Sequence, residues 1–266
     1  MKPVTVTTLK AMKQAREKIA CLTAYDYSFA ALLDRVGLDM VMVGDSLGMV
    51  IQGHASTLPV TVADMAYHSC CVARGLQRAL LIVDMPFMSY QAGPVPALEN
   101  AGRLMQDGGA QVVKLEGGAP VVETVRFLTE RGIPVCGHLG LTPQSVHQLG
   151  GYQVQGRETA AAQRIRADAL GLQEAGATLL VLEAVPAALA AAISSELDIP
   201  TIGIGAGPDC DGQVLVLQDM LGLYPRPSPK FSRNFMPGAG SIEEAVRNYV
   251  AAVKSRAFPG PEHSYA

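Results

Sequence analysis

The sequence predicts an α/β protein of the closed (β/α)8 TIM-barrel class, forming a single domain over residues 1–266. Seven short apolar runs alternate with longer segments of helical pattern, as in consecutive right-handed β-α-β units. The repeat continues through all 266 residues, and such barrels typically have about 250. No dinucleotide-binding glycine fingerprint follows the first run, so an open doubly wound sheet is the less favoured alternative.

The apolar runs are continuous rather than alternating, which is typical of strands buried on both faces. An extra helix is expected before the first strand. The predicted strands are 19–24, 40–44, 79–83, 111–115, 133–137, 178–182 and 199–205. The helices expected between them are 27–37, 61–75, 97–110, 120–132, 158–176 and 186–197. Two of these end at glycines, Gly37 and Gly75, and Thr61 with Asp64 has the spacing of a capping box.

The eighth unit is the least regular part of the pattern. Residues 211–222 fit either a strand or a helix, but a strand there would leave no room for a helix after residue 205. We therefore predict a helix over 211–222, capped by Asp211 and ended by Gly222, with the eighth strand inside 223–235. A last helix is expected over 241–256. Residues 257–266 are predicted to form a flexible tail.

Composition excludes several classes of protein. The chain is 49% apolar and 17% charged, which is enough for a large core and excludes a disordered chain. A net charge of −3 without a basic block argues against a nucleic-acid partner. Neither a long apolar run nor a signal-peptide core is found, so we expect no membrane association and a cytoplasmic location. The five cysteines contain no CxxC pair and are interpreted as reduced core thiols.

Charged and polar side chains follow several strands, at the end where a parallel barrel carries its active site. They are Asp45 and Ser46 after the second strand, Asp84 after the third, Lys114 and Glu116 at the fourth, His138 after the fifth and Glu183 after the sixth. The carboxylates repel one another, so positive charge must lie among them. Lys114 supplies one charge, and a divalent cation would supply two. Oxygen ligands without paired His or Cys favour Mg²⁺ over Zn²⁺.

Each of these residues also has a plainer interpretation. A single Asp after a strand often caps the next helix, although loops separate Asp45 and Asp84 from their helices. His138 could bind substrate as a neutral imidazole or make only a structural hydrogen bond. Segment 230–233, with Lys230 and Arg233, is interpreted as a solvated loop, with anion binding as the alternative. Together the strand ends indicate a magnesium-dependent enzyme with a carboxylate base.

These strand-end residues lie in distinctive sequence contexts. The contexts are TAYD (23–26), VGDSLGM (43–49), GHASTLPVTVADMAYH (53–68), DMPFMSY (84–90), VKLEGG (113–118), GHLGLTPQSV (137–146), GGYQVQGR (150–157), LVLEAVP (180–186) and PKFSRNF (229–235). In this combination, residues 3–263 resemble the ketopantoate hydroxymethyltransferase family. The resemblance implies a barrel of the phosphoenolpyruvate- and isocitrate-lyase-like group and a large homo-oligomer, commonly a decamer.

The resemblance also implies a reaction and a role for each residue. A one-carbon unit would pass from 5,10-methylenetetrahydrofolate to the keto acid 3-methyl-2-oxobutanoate, through a Mg²⁺-stabilised enolate, giving 2-dehydropantoate for pantothenate biosynthesis. Glu183 matches the proton acceptor. The residues matching the magnesium site are Asp45, Asp84 and Glu116. Those matching the keto-acid site are Asp45, Ser46, Asp84 and Lys114, with His138 lining the pocket. Residues 138–157 would form a lid.

Two other functions fit part of the pattern. The first is another Mg²⁺-dependent keto-acid lyase or mutase of the same barrel group. Those enzymes often use a cysteine on a mobile loop, and residues 138–157 contain none. The second is a catalytically silent barrel that serves as an oligomeric scaffold, which the complete set of carboxylates argues against.

Overall fold

A closed barrel of eight parallel strands forms the centre of the protein in the computed structural model, which describes residues 2–266. Each strand pairs with the next in the sequence, and the eighth pairs with the first. The strands are β1 Ile19–Thr23, β2 Met40–Val43, β3 Leu80–Asp84, β4 Val112–Glu116, β5 Val135–Gly140, β6 Leu179–Glu183, β7 Thr201–Ile204 and β8 Gly212–Leu215. The predicted fold class is confirmed.

Helices precede β1 and follow most of the strands. They are α1 Val6–Gln14, α2 Tyr27–Val36, α3 Leu47–Val50, α4 Val62–Ala73, α5 Pro94–Gln106, α6 Val122–Thr129, α7 Val146–Leu149, α8 Thr159–Glu174, α9 Ala187–Glu196, α10 Leu217–Met220 and α11 Ile242–Lys254. Single 3-10 turns cover Ala119–Val121, Pro143–Ser145 and Pro261–His263. The predicted helix starts are accurate where a cap exists: Thr61 and Asp64 form a reciprocal capping box at α4.

The buried side chains form two separate clusters. The larger one lies between the barrel and the surrounding helices. The smaller one fills the barrel interior and includes Ile19, Met40 and Val112 from the strands. Leu9 and Met12 of α1 belong to this inner cluster, so the extra N-terminal helix closes the N-terminal end of the barrel. The site is therefore open only at the opposite end, where the strands finish.

The eighth unit differs from the prediction. Strand β8 is Gly212–Leu215, inside the segment predicted to be a helix, and residues 223–235 contain neither a strand nor a helix. The prediction was wrong because it required a helix between β7 and β8. Residues 205–211 instead connect the two strands directly. Lys18 braces this connection by donating hydrogen bonds to the carbonyl oxygens of Pro208 and Cys210.

The C-terminal residues also differ from the flexible tail that the sequence suggested. Phe258 is buried and packs edge-on against Phe235 and Tyr249, at ring-centre distances of 5.6 and 5.9 Å. The Tyr265 carbonyl accepts a hydrogen bond of 2.9 Å from the Ala187 amide at the start of α9. Apolar burial and this backbone bond hold the segment against the barrel.

Two further sequence expectations concern chemistry rather than shape. The five cysteines are free thiols, of which Cys21, Cys136 and Cys210 are buried. Within residues 2–266, no helix combines the length and the apolar character that a bilayer crossing requires.

Candidate active site

The period of two along each strand determines which side chains enter the barrel. In β4, Val112 belongs to the inner cluster, whereas Val113 and Leu115 belong to the outer one. Lys114 and Glu116 share the inward phase of Val112, because successive side chains of a strand point to opposite faces. The same alternation places Asp84 after Ile82 in β3, and His138 after Cys136 in β5. Along each of these strands the first inward side chains are apolar and form the bottom of the cavity. The last inward side chains are charged or polar and lie at the open end of the barrel.

Lys114 lies at the centre of the polar cluster. Its Nζ is 3.3 Å from Asp84 Oδ1 and 3.8 Å from Glu116 Oε1, and it donates a 3.1 Å hydrogen bond to His138 Nδ1. Lys114 is only 3% exposed, so this ammonium is almost removed from water. Burial lowers the pKa of Lys114, but Asp84, Glu116 and Asp45 together raise it above its ordinary value. The lysine therefore stays charged within the cluster.

Asp45 and Ser46 enter the same cavity from the loop after β2. The Asp45 amide donates a 3.1 Å hydrogen bond to Asp84 Oδ2. The Ser46 hydroxyl lies 2.8 Å from the Tyr25 hydroxyl. Gln144 is a partner that sequence reasoning missed: its Nε2 donates to Asp45 Oδ2 at 2.9 Å, and its backbone amide donates to Glu116 Oε2 at 3.0 Å. Gln144 thus links two carboxylates that come from different strands.

The carboxylates carry more negative charge than the protein balances. Burial, followed by the charges of Asp84 and Glu116, raises the pKa of Asp45 well above its ordinary value. Burial also raises the pKa of Asp84, although Lys114 opposes the effect. Asp84 Oδ1 is buried and makes no hydrogen bond, although the Lys114 ammonium lies 3.3 Å away. An oxygen-rich site with excess negative charge and a carboxylate oxygen that makes no hydrogen bond fits a hard divalent cation such as Mg²⁺.

The three predicted magnesium ligands are not equivalent in this structure. Among residues 2–266, no group of three or more His, Cys, Asp or Glu side chains is arranged to hold a metal ion. Asp45 and Asp84 are neighbours, whereas Glu116 is engaged by Lys114, His138 and the Gln144 amide. Mg²⁺ is commonly bound by only one or two carboxylates, with substrate and water completing its octahedron. The Asp45–Asp84 pair therefore fits the cation best.

His138 connects the cluster to Glu183. His138 Nε2 is 3.3 Å from Glu183 Oε2, although the contact does not meet hydrogen-bond geometry. Burial and Lys114 lower the pKa of His138, but Glu116 and Glu183 outweigh them and raise it above its ordinary value. In the neutral form of the ring, Nδ1 accepts from Lys114 and the proton is on Nε2, which faces Glu183.

All seven predicted site residues line one cavity of about 600 Å³. The polar cluster occupies the side formed by β2 to β6, and Met42, Val181 and Val214 contribute apolar wall. Tyr152, from the segment predicted to be a lid, also lines the cavity. Further lining residues that sequence reasoning did not assign to a site are Thr23, Asp219, Tyr224, Arg226 and Tyr265. Lys230, which the sequence left as a loop or anion-binding residue, lines the same rim.

Comparison with known proteins identifies the family that the sequence motifs resemble. Residues 3–261 match the family model described as ketopantoate hydroxymethyltransferase. A protein of Methylobacillus flagellatus named 3-methyl-2-oxobutanoate hydroxymethyltransferase is 64% identical over 97% of this chain and 98% of its own length. A protein of Thiobacillus denitrificans with the same name is 63% identical over 99% of this chain and 100% of its own.

Solved structures share the fold at low identity. A putative phosphonomutase from Burkholderia cenocepacia has a TM-score of 0.63 at 14% identity, covering 82% of this chain and 94% of that one. The 2,3-dimethylmalate lyase, a PEP mutase/isocitrate lyase superfamily member, has a TM-score of 0.59 at 15% identity, covering 84% and 81%. These likenesses confirm the barrel fold that the sequence suggested. The full-length match and the high identities show that the chain belongs to the ketopantoate hydroxymethyltransferase family.

Proposed function

We propose that this enzyme transfers a hydroxymethyl group from 5,10-methylenetetrahydrofolate to 3-methyl-2-oxobutanoate, forming 2-dehydropantoate with the help of Mg²⁺. The proposal rests on one observation: a site suited to binding a cation and an anionic substrate shares a cavity with a carboxylate that can act as a base. A buried cluster of oxygen ligands and one ammonium lies beside Glu183, whose carboxylate contacts the cluster at His138. Binding an anionic keto acid and removing its proton require such neighbours.

Asp45 and Asp84 would hold the cation, and Glu116 would add negative charge near it. Bound there, Mg²⁺ supplies Lewis-acid stabilisation of negative charge on the keto oxygen. Gln144 keeps the Asp45 and Glu116 carboxylates in place through the two hydrogen bonds described above. Such outer partners orient metal-binding carboxylates and adjust their affinity.

Lys114 and Ser46 would bind the carboxylate end of the keto acid. Lys114 remains charged in its buried position, so it can offset the substrate's negative charge as a fixed point charge. Tyr25 positions the Ser46 hydroxyl from the end of β1. These contacts orient the substrate so that its C3 faces one wall of the cavity.

Glu183 would remove the proton from C3. It ends β6 on the wall next to His138, and its side chain is 14% exposed, which leaves it accessible to a ligand. His138 Nε2 lies 3.3 Å from Glu183 Oε2 and does not need to exchange protons itself. One water molecule would add to the folate methylene and release tetrahydrofolate, leaving a one-carbon unit at the oxidation level of formaldehyde. The enolate carbon would attack that unit, and the new alkoxide would take up a proton to become the hydroxyl group. Residues 141–154 contribute Leu141, Pro143, Tyr152 and Val154 to the cavity wall and would exclude bulk water during this step.

We further propose that the enzyme works in the cytoplasm as a homo-oligomer, a decamer by its family resemblance. Free thiols throughout residues 2–266 suit a reducing compartment. Large apolar side chains that stay exposed on one chain suit burial between subunits; they include Tyr27, Ile51, Tyr67 and Val95. Light scattering at micromolar concentration should find a defined oligomer, and a stable monomer would contradict the proposal.

A product assay tests the proposed reaction. The enzyme is incubated with the keto acid, Mg²⁺ and methylenetetrahydrofolate, and 2-dehydropantoate is measured by mass spectrometry. Omission of each component in turn should abolish the product. Absence of product with all three components present, in protein that binds the keto acid, would overturn the transfer reaction.

A further inference from the structure

One carboxyl group in the cavity has no partner in the polar cluster. Asp219 is only 7% exposed, and its Oδ1 is buried without a hydrogen-bond partner. Burial raises its pKa to about 6, and no neighbouring charge or hydrogen bond contributes to that change. An isolated buried carboxyl costs free energy unless something satisfies it. The question is therefore which ligand would do so.

Asp219 lies across the cavity from Lys114 and Glu116. It belongs to α10, which follows β8, and the Leu217 amide at the start of α10 bonds to Thr23 Oγ1 at the end of β1, at 3.0 Å. In a closed ring of eight strands, β8 is opposite β4, the strand that carries Lys114 and Glu116. The keto-acid cluster therefore cannot supply a partner for Asp219.

The space between the two sides exceeds what the first substrate requires. Cavities of about 300–1,000 Å³ typically enclose drug-sized ligands. A small branched keto acid fills only part of the 600 Å³ cavity. The rest of the lining includes the aromatic rings of Tyr224 and Phe231 and the carboxyl group of Asp219, and Arg226 and Lys230 are exposed. These residues fit a ligand with two different ends. A flat ring with hydrogen-bond donors on one edge would suit the Asp219 carboxyl and the aromatic side chains, and a carboxylate tail would suit Arg226 and Lys230.

We propose that Asp219 binds the aminopyrimidinone edge of the tetrahydropterin ring of the folate co-substrate. That edge presents a ring N–H and an adjacent amino group, two parallel donors that match the two oxygens of one carboxylate. The inference rests on the proposed function, because it assigns a position to the one-carbon donor. Arg226 and Lys230 then face the glutamate carboxylates at the other end of the folate. This placement directs the folate methylene toward the keto-acid side.

The test measures binding of the two ends of folate separately. Calorimetry follows 6-methyltetrahydropterin, which has only the head, and p-aminobenzoyl-glutamate, which has only the tail. The variant is Asp219→Asn, which keeps the shape but replaces one acceptor with a donor. The matched control is Glu158→Gln, an exposed carboxyl before α8 that does not line the cavity. Deuterium exchange at C3 of the keto acid, without folate, reports whether the keto-acid side of the cavity still works.

Loss of hydrogen bonds to a charged group typically costs about 10–100-fold in binding. Asp219→Asn should weaken 6-methyltetrahydropterin and raise the KM for methylenetetrahydrofolate by roughly that factor. For Asp219→Asn, binding of p-aminobenzoyl-glutamate and the rate of C3 exchange should stay within about twofold of wild type. For the control Glu158→Gln, all of these measurements should stay within about twofold of wild type. Normal exchange would also show that the variant is folded.

Two results would overturn the inference, and they differ. If wild type makes product and Asp219→Asn binds the pterin equally well, Asp219 does not recognise the ring, and the proposed function stands. If wild type exchanges the C3 proton but neither binds the pterin nor makes product, folate is not the donor, and both proposals fail together.

Discussion

The two sides of the cavity differ in how their charges are satisfied. On the β2–β6 side, every charged group has neighbours: Lys114 contacts Asp84, Glu116 and His138, and Gln144 links Asp45 to Glu116. On the β8–β1 side, Asp219 has no such partner. The comparison distinguishes two roles of buried charged groups. A connected cluster is arranged before the substrate arrives, whereas an isolated group is completed by a ligand.

The largest expected effect is the loss of Lys114. Lys114→Met removes the only ammonium from three neighbouring carboxylates, and breaking a buried charge cluster typically costs about 3–5 kcal/mol. The free energy of unfolding, measured in urea at about pH 8, should fall by that amount, and keto-acid binding should be lost. Lys230→Met is the matched control, since Lys230 is exposed. Equal stability of the two variants would show that the polar cluster is not coupled.

A smaller effect is expected at Gln144, which orients the cluster without carrying charge. Gln144→Leu removes the donor to Asp45 Oδ2, while its backbone bond to Glu116 remains. Loss of an outer partner of metal-binding groups typically lowers metal affinity about 10–100-fold. Calorimetric titration with Mg²⁺ in the presence of keto acid measures it. An unchanged affinity would place the cation away from Asp45.

The smallest effect has the opposite sign and belongs to the other side. The pKa of Asp219 is about 6 in the folded protein and 3.8 as the reference, so the ionised carboxyl destabilises the fold. This penalty is absent below about pH 4, develops between the two pKa values, and is complete above about pH 6. Asp219→Asn should therefore raise the free energy of unfolding at about pH 8 by about 1 kcal/mol, after allowance for partial solvation.

Urea unfolding at several pH values checks this prediction. The stability difference between Asp219→Asn and wild type should vanish as the pH falls toward 4. Added tetrahydrofolate should stabilise wild type and leave the variant less affected. A variant that is less stable than wild type at all pH values would mean that Asp219 has a structural partner, against the comparison drawn above.

Much of this arrangement could be predicted from sequence, for a definite physical reason. In a parallel barrel the strand ends share one rim, so Asp84, Lys114 and His138 converge although they lie far apart in the chain. The period of two along β4 then directs Lys114 and Glu116 inward. The errors arose where a local pattern allows two structures. Residues 211–222 fit both a strand and a helix, and only the direct β7–β8 connection decides between them.

Other parts of the site left no local signal. Gln144 contacts Asp45 across 99 positions of sequence, and a glutamine in a loop resembles any solvated residue. Tyr265 lines the cavity because burial of Phe258 holds the C-terminal segment in place. Asp219 had one recognisable signal, an acidic residue in a segment whose positions 217, 220 and 221 are apolar. Its functional meaning depends on the absence of a partner, which only the three-dimensional arrangement shows.

Proton removal by Glu183 is the central claim, and deuterium exchange at C3 of 3-methyl-2-oxobutanoate in heavy water, without folate, tests it most directly. Wild type with Mg²⁺ should exchange this proton. Glu183→Gln should bind the keto acid and Mg²⁺ but exchange about 10²–10⁴-fold more slowly, because an amide cannot accept the proton. Asp84→Ala, the comparison variant, should lose both binding and exchange. Exchange by Glu183→Gln at the wild-type rate would contradict the account and make His138 the candidate base.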